Sequence, residues 1–169
     1  MKHFILSAAI FLMSLSSNTT SGQTSADISL VLPGIASENI SEASATEVNA
    51  RAMRDFSRSY KNAAQAKWFK SDKGYFASFD ENGTNTKTVY DSRGQRNYRI
   101  ISYSESKLNR QVRNRVKSLY FYATIIGVHQ FEFDNKTIHV IKMLDQDSTP
   151  MTLAVSDEQM EDITTRKRK

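Results

Sequence analysis

No cysteine occurs anywhere in the chain. That absence excludes a disulfide framework, a thiolate metal site and a lipid anchor on an N-terminal cysteine. Stability must come from an ordinary apolar core, which a chain of 169 residues can supply as one domain. A long hydrophobic run is missing too. The longest, Phe4 to Leu15, spans twelve residues, short of the roughly 20 that a membrane-spanning helix needs. A strong charge excess is also lacking. The net charge is +5, with 23 Lys and Arg against 18 Asp and Glu, and four of those bases are the terminal Arg166-Lys167-Arg168-Lys169. A nucleic-acid binder would gather its charge on one face among stacking aromatics. Here the body is close to neutral, so no nucleic-acid partner is expected, and the tail reads as a solvated end.

Catalytic patterns are absent as well. The sequence has no G-x-S-x-G elbow and no glycine-rich phosphate cradle. His129 and His139 fall on neighbouring strand segments and could face each other, but no third ligand accompanies them and no cofactor is expected. The chain reads as non-enzymatic.

The N-terminus supplies an address. Met1-Lys2-His3 is basic, Phe4 to Leu15 is apolar, and small polar residues run from Ser16 to Gln23. This is the layout of a secretory signal peptide over residues 1–22, removed on export. Export without disulfides fits a bacterial periplasmic or secreted protein. A flexible leader over 23–43 follows, and an apolar island at Ile28 to Ile35 within it could add an edge strand.

The body, 44–155, reads as helix, four strands, helix, three strands. Ser44-Ala-Thr-Glu47 has capping-box spacing, and Val48, Ala52, Phe56, Tyr60 and Ala63 recur at helical intervals. A helix of four to five turns is expected, ending near Asn62. Strands are expected at 66–70, 75–80, 86–91 and 96–103, separated by Asp-Gly and Asn-Gly turn chemistry. A second helix at 106–121 buries Leu108, Val112, Val116 and Leu119, and turns Arg110, Arg113, Arg115 and Lys117 outward. Strands at 124–133, 137–145 and 151–155 close the body. Ser156 to Gln159 could open a short last helix before the basic tail of 156–169.

The halves 44–103 and 104–155 match at an offset of 60 over their helices. We therefore expect an α+β fold of two helix-plus-antiparallel-meander repeats sharing a core. A helix ending in an aromatic, then Ala66-Lys-Trp68, Gly74-Tyr-Phe-Ala-Ser-Phe79, Asn82-Gly83 and Val89-Tyr-Asp-Ser-Arg-Gly94, resembles the PepSY-like, β-lactamase-inhibitor-like exported proteins of Bacteroidetes. The resemblance covers roughly 44–155. It departs at Leu108-Asn109, where the family often has Leu-Pro. It implies a periplasmic or extracellular site, a helix-plus-sheet repeat and no enzyme activity.

Aromatics are too many for one face of the sheet, so some should meet a protein or peptide partner. Trp68, Tyr75, Phe76, Tyr90 and Tyr98 are the candidate contacts. The alternative is an anionic envelope polymer or surface bound through Arg110, Arg113 and Lys117 of the second helix together with the tail.

Overall fold

A computed structural model of the chain describes residues 39–157 and 159–164. The expected signal peptide, the apolar island and the terminal basic run lie outside them.

The architecture is α+β. Among the described residues, nine antiparallel strands form one sheet in chain order, β1 (Ser41–Ala43), β2 (Ala64–Ser71), β3 (Gly74–Asp80), β4 (Asn85–Asp91), β5 (Arg96–Tyr103), β6 (Thr124–Phe133), β7 (Lys136–Leu144), β8 (Pro150–Val155) and β9 (Met160–Asp162). Helix α1 (Ala50–Ser59) precedes β2, and α2 (Arg110–Leu119) links β5 to β6 after one 3-10 turn at Glu105–Lys107. No helix among the described residues is long and apolar enough to cross a membrane.

Directly opposed residues of antiparallel strands share a face, so the register sorts the sheet into two sides. Trp68, Ala77, Thr88 and Arg99 lie on one side, and Phe69, Phe76, Val89 and Tyr98 on the other. The first side carries both helices. Under α1, Ala52, Phe56 and Tyr60 pack on Trp68, Ala77, Phe79 and Tyr90. Phe56 meets the Trp68 and Phe79 rings edge-on, with centroids 5.2 and 5.1 Å apart, an arrangement favoured by the ring quadrupoles. Under α2, Leu108 and Val116 join Ile125, Val128, Ile141, Met143, Leu153 and Val155.

Polar bonds fasten α1 to the sheet. Tyr60 Oη donates to Thr88 Oγ1, and Tyr90 Oη donates to Asp55, which also pairs with Arg96. Burial pushes the Tyr90 hydroxyl far above its ordinary pKa, with the Asp55 bond adding to the rise and the Thr88 bond opposing it. The β4–β5 turn abuts the helix start. Gly94 sits at φ +75, and a Cβ there would come within 2.6 Å of Asn49 Oδ1 and 2.8 Å of the Ala52 nitrogen, so this turn has room only for glycine.

Three expectations are corrected. The first helix starts at Ala50, capped by Asn49, whose Oδ1 accepts from the Arg51 amide. Ser44 and Glu47 bond to each other, but within a separate turn before it. Those bonds hold Glu47 below the usual carboxylate range. Asn109 caps α2 in the same way, and that helix runs from 110 to 119 rather than from 106 to 121. The expected last helix is strand β9 instead. The Ser156 amide bonds the Gln159 carbonyl, closing a tight turn that folds 160–162 back onto β8. The last three leader residues form β1, paired with Trp68 to Lys70.

Candidate functional site

Among the described residues, helices cover one side of the sheet and leave the other free of helix. The centre of that free side is a third apolar cluster in which Phe76, Val89 and Ile100 are buried, with Ile40, Phe69, Tyr98 and Phe131 partly buried around them. Pairing builds this row. Phe76 stands between Phe69 and Val89, Val89 opposes Tyr98, and Ile100 opposes Phe131. Phe69 stacks nearly flat on Phe76, with ring centroids 4.7 Å apart and planes 11° off parallel. The result is a floor of fully buried apolar side chains beneath partly exposed rings. The phenol of Tyr98 sits deep enough for burial to push its pKa up to about 12.

Polar groups flank the row. Lys87 opposes Ile100, and Ser102 opposes His129, with Ser102 Oγ 2.9 Å from His129 Nδ1. His129 opposes Val140, whereas His139 opposes Gln130, so the two histidines fall on opposite faces and cannot share a metal ion. His139 is buried on the helix-bearing side, and that burial lowers its pKa. Among the described residues, no group of three or more His, Asp or Glu side chains is placed to hold a metal.

The predicted contact residues separate. Tyr98 lies on the helix-free face and is partly exposed. Phe76 lies on the same face but is 0% exposed, so it forms the floor rather than the contact surface. Trp68 and Tyr90, 7% and 1% exposed, are core on the other face. Tyr75 is partly buried against the α1 cluster on that same side. As candidate contacts, Trp68, Tyr75 and Tyr90 are thus corrected, because helix α1 packs over all three. Phe69 and Phe131 are the partly exposed rings that join Tyr98. Local alternation around Phe69 and Phe131 carries that signal, although both β2 and β6 shift register nearer their starts, and only pairing shows that the strands meet on one face.

The α2 cations are also placed differently from the expectation. Arg113 pairs with Glu105 at 2.7 Å, and Lys117 donates to the Ala123 carbonyl. Arg115 donates to the Ser156 and Asp157 carbonyls. Arg110 is exposed. Most of the basic row on this helix is therefore spent on its own chain.

Another surface was not foreseen. Leu119, Phe121, Tyr122 and Ile126 are 56–72% exposed, and they are the exposed large apolar residues of the described chain. Phe121 and Tyr122 meet edge-on at 5.0 Å just past the end of α2.

The fold recurs in Bacteroides. A Bacteroides ovatus structure described as a DUF2874 family protein superimposes with a TM-score of 0.59 at 21% identity, over 69% of this chain and 88% of that one. A Bacteroides fragilis structure described as a BLIP-like protein gives 0.58 at 18% identity, over 72% and 91%. A Bacteroides eggerthii structure, assigned provisionally to the periplasm, gives 0.58 at 14% identity, over 69% and 90%. No protein-family model matches the chain, and no curated protein does. At these identities the likeness is one of fold. It agrees with the β-lactamase-inhibitor-like part of the resemblance carried by the sequence motifs.

Proposed function

We propose that the protein is an exported, non-enzymatic binding protein that engages a protein or peptide partner through the helix-free face of its sheet. The observation that carries this reading is the row of partly exposed rings, Phe69, Tyr98 and Phe131, over a rigid buried floor of Phe76, Val89 and Ile100. Large rings held on a preorganised floor lose little entropy when a partner covers them, which is the character of binding hot spots. The fold likeness to BLIP-like and periplasmic Bacteroides proteins and the signal-peptide layout of residues 1–22 support export and a binding role. We also read the chain as two PepSY-like helix-plus-meander units, because the Asn49 and Asn109 caps and the Tyr60 and Tyr120 helix ends share their geometry sixty residues apart. Trp68, Tyr75, Phe76 and Tyr90 then support the surface from within, and Tyr98 is the one predicted residue that touches the partner.

The alternative, an anionic envelope polymer or surface bound through Arg110, Arg113 and Lys117 together with the tail, is less favoured, because Arg113 and Lys117 have internal partners; the end of the tail lies outside the described residues. The patch at Leu119, Phe121, Tyr122 and Ile126 is the rival contact surface, on the strength of its exposure.

A photo-crosslinking residue at 98, 131, 121 or 57, introduced into the protein in its native host, distinguishes these surfaces. The reading predicts one and the same partner captured from 98 and 131, and none from 57 on the outer side of α1. With that partner purified, Tyr98→Ala and Phe131→Ala should each weaken binding about tenfold or more, the loss typical of an anchor ring. Capture from 121 alone would move the interface to the second patch, and capture from none of them would remove the binding reading.

A further inference from the structure

Helix α1 presents a line of cations that nothing in the described chain uses. Arg51, Arg54 and Arg58 are exposed, and at 3.6 residues per turn they fall within an arc of about 60° along about 10 Å of helix. Lys61, also exposed, continues the line just past the helix end. Among the described residues, no ion pair forms on any of these four. Asp55, the acid on the same helix, is already held by Tyr90 Oη at 3.0 Å and by Arg96 at 3.7 Å. Arg54 and Arg58 line a shallow groove together with Met53 and Ser57. Like charges three and four residues apart repel by a few tenths of a kcal/mol per pair. On α2 the comparable cost is relieved by Glu105 and by backbone carbonyls. On α1 it is not.

We propose that this strip docks an acidic polysaccharide, with Arg51, Arg54 and Arg58 bonding successive carboxylate or sulfate groups. The guanidinium fork fits the two oxygens of such groups, and a turn of helix spaces the forks by about 5 Å. The chemistry of the strip selects the class of partner. A bilayer-docking helix needs an apolar face beside its cations, and a protein interface needs apolar or aromatic anchors. The exposed large apolar residues of the described chain all sit at 119–126, off this helix. A charged polymer needs only the cations, since release of its counterions supplies the affinity. For a chain exported as proposed above, the proposal commits to an acidic glycan as that polymer, and an acidic polypeptide is the competitor in the test. The inference goes beyond the binding reading above and takes from it only the exported location.

The test measures binding of the purified exported protein to heparin and to polygalacturonate over a range of NaCl, with dextran as the neutral control. Two triple variants remove equal charge: Arg51→Ala with Arg54→Ala and Arg58→Ala, and Arg110→Ala with Arg113→Ala and Lys117→Ala. Alanine is a strong helix former, and the melting curve of each variant, including the α2 variant that also loses the Lys117 bond to Ala123, checks that the fold is kept. The proposal predicts that the α1 variant loses at least tenfold in affinity, and that its log–log salt slope falls by about one per arginine removed. The α2 variant should stay within about twofold of the parent. Equal losses in both variants would mean that net charge alone binds, and would overturn the proposal. So would tighter binding to polyglutamate than to either glycan, which would point to an acidic protein. Failure of the parent to bind either glycan would also overturn it. None of these results depends on whether a partner crosslinks at 98 and 131.

Discussion

Phe76→Ala is expected to destabilise the protein by about 3–5 kcal/mol, the range for emptying a fully buried phenylalanine site. In a chain of this size that loss lowers the melting temperature by roughly 10 °C or more. Among the described residues no helix lies over Phe76, yet it is 0% exposed. It is covered because the sheet places Phe69, Val89 and Tyr98 on successive strands beside it, with Ile40 and Phe131 closing over the cluster. Truncation removes the ring that stacks with Phe69 and leaves a cavity under the proposed contact surface. Chemical denaturation of the variant checks the magnitude. Tyr98→Ala is a useful partner measurement, since a partly exposed ring should cost distinctly less stability than Phe76. A Phe76→Ala variant as stable as the parent would mean that this face has no packed floor.

Gly74→Ala is expected to be nearly as severe, for a reason rooted in the backbone. Gly74 opens β3 at φ +144, a region that side chains rarely enter. A Cβ placed there lies 2.2 Å from the Tyr90 carbonyl oxygen and 2.7 Å from the Asp91 carbonyl carbon. Both atoms belong to β4, the strand paired with β3 through the full length of the hairpin, so they cannot step aside without opening the ladder. Strain and overpacking together cost about 2–5 kcal/mol. The melting temperature measures this, and Gly127→Ala provides the contrast. A Cβ at Gly127 meets nothing within 4 Å, so that change should lie within about 0.5 kcal/mol of the parent, as open surface positions do. Equal losses at both positions would show that the close approach of β3 to β4 is absent.

Much of the fold can be read from local pattern. The strands at 96–103 and 124–133 coincide with those expected, and the other expected strands differ by a residue or two at their ends. The reason is that alternation and turn chemistry are local properties. Helix starts were harder to place. Ser44 and Glu47 satisfy a capping pattern and do bond to each other, yet the chain spends that motif on a separate turn and leaves the cap to Asn49. Strand β9 was missed because three residues carry no period of their own. Their pairing with β8 is decided by the tight turn at Ser156 to Gln159.

The candidate site was less legible for a related reason. Trp68, Tyr75 and Tyr90 look much like Tyr98 in sequence, and what separates them is which side α1 covers. That choice is made by contacts between residues far apart in the chain, such as Asp55 with Tyr90 and Tyr60 with Thr88. The basic residues teach the same lesson. Helix α2 looked like the free cationic surface because acids are absent between Glu105 and Glu132. In the fold, Lys117 and Arg115 turn to backbone carbonyls, while the arginines of α1 keep their charge in solvent.

The claim on which the account rests is that the helices cover the Trp68 side and leave the Tyr98 and Phe131 side open. Acrylamide quenching of single-tryptophan proteins tests it directly, because Trp68 is the chain's one tryptophan. The native protein should show blue-shifted emission that acrylamide hardly reaches. A Trp68→Phe, Phe131→Trp protein should show red-shifted, readily quenched emission. The opposite ordering, with Trp68 accessible and the tryptophan at 131 protected, would contradict the assignment of the faces and with it the proposed binding surface.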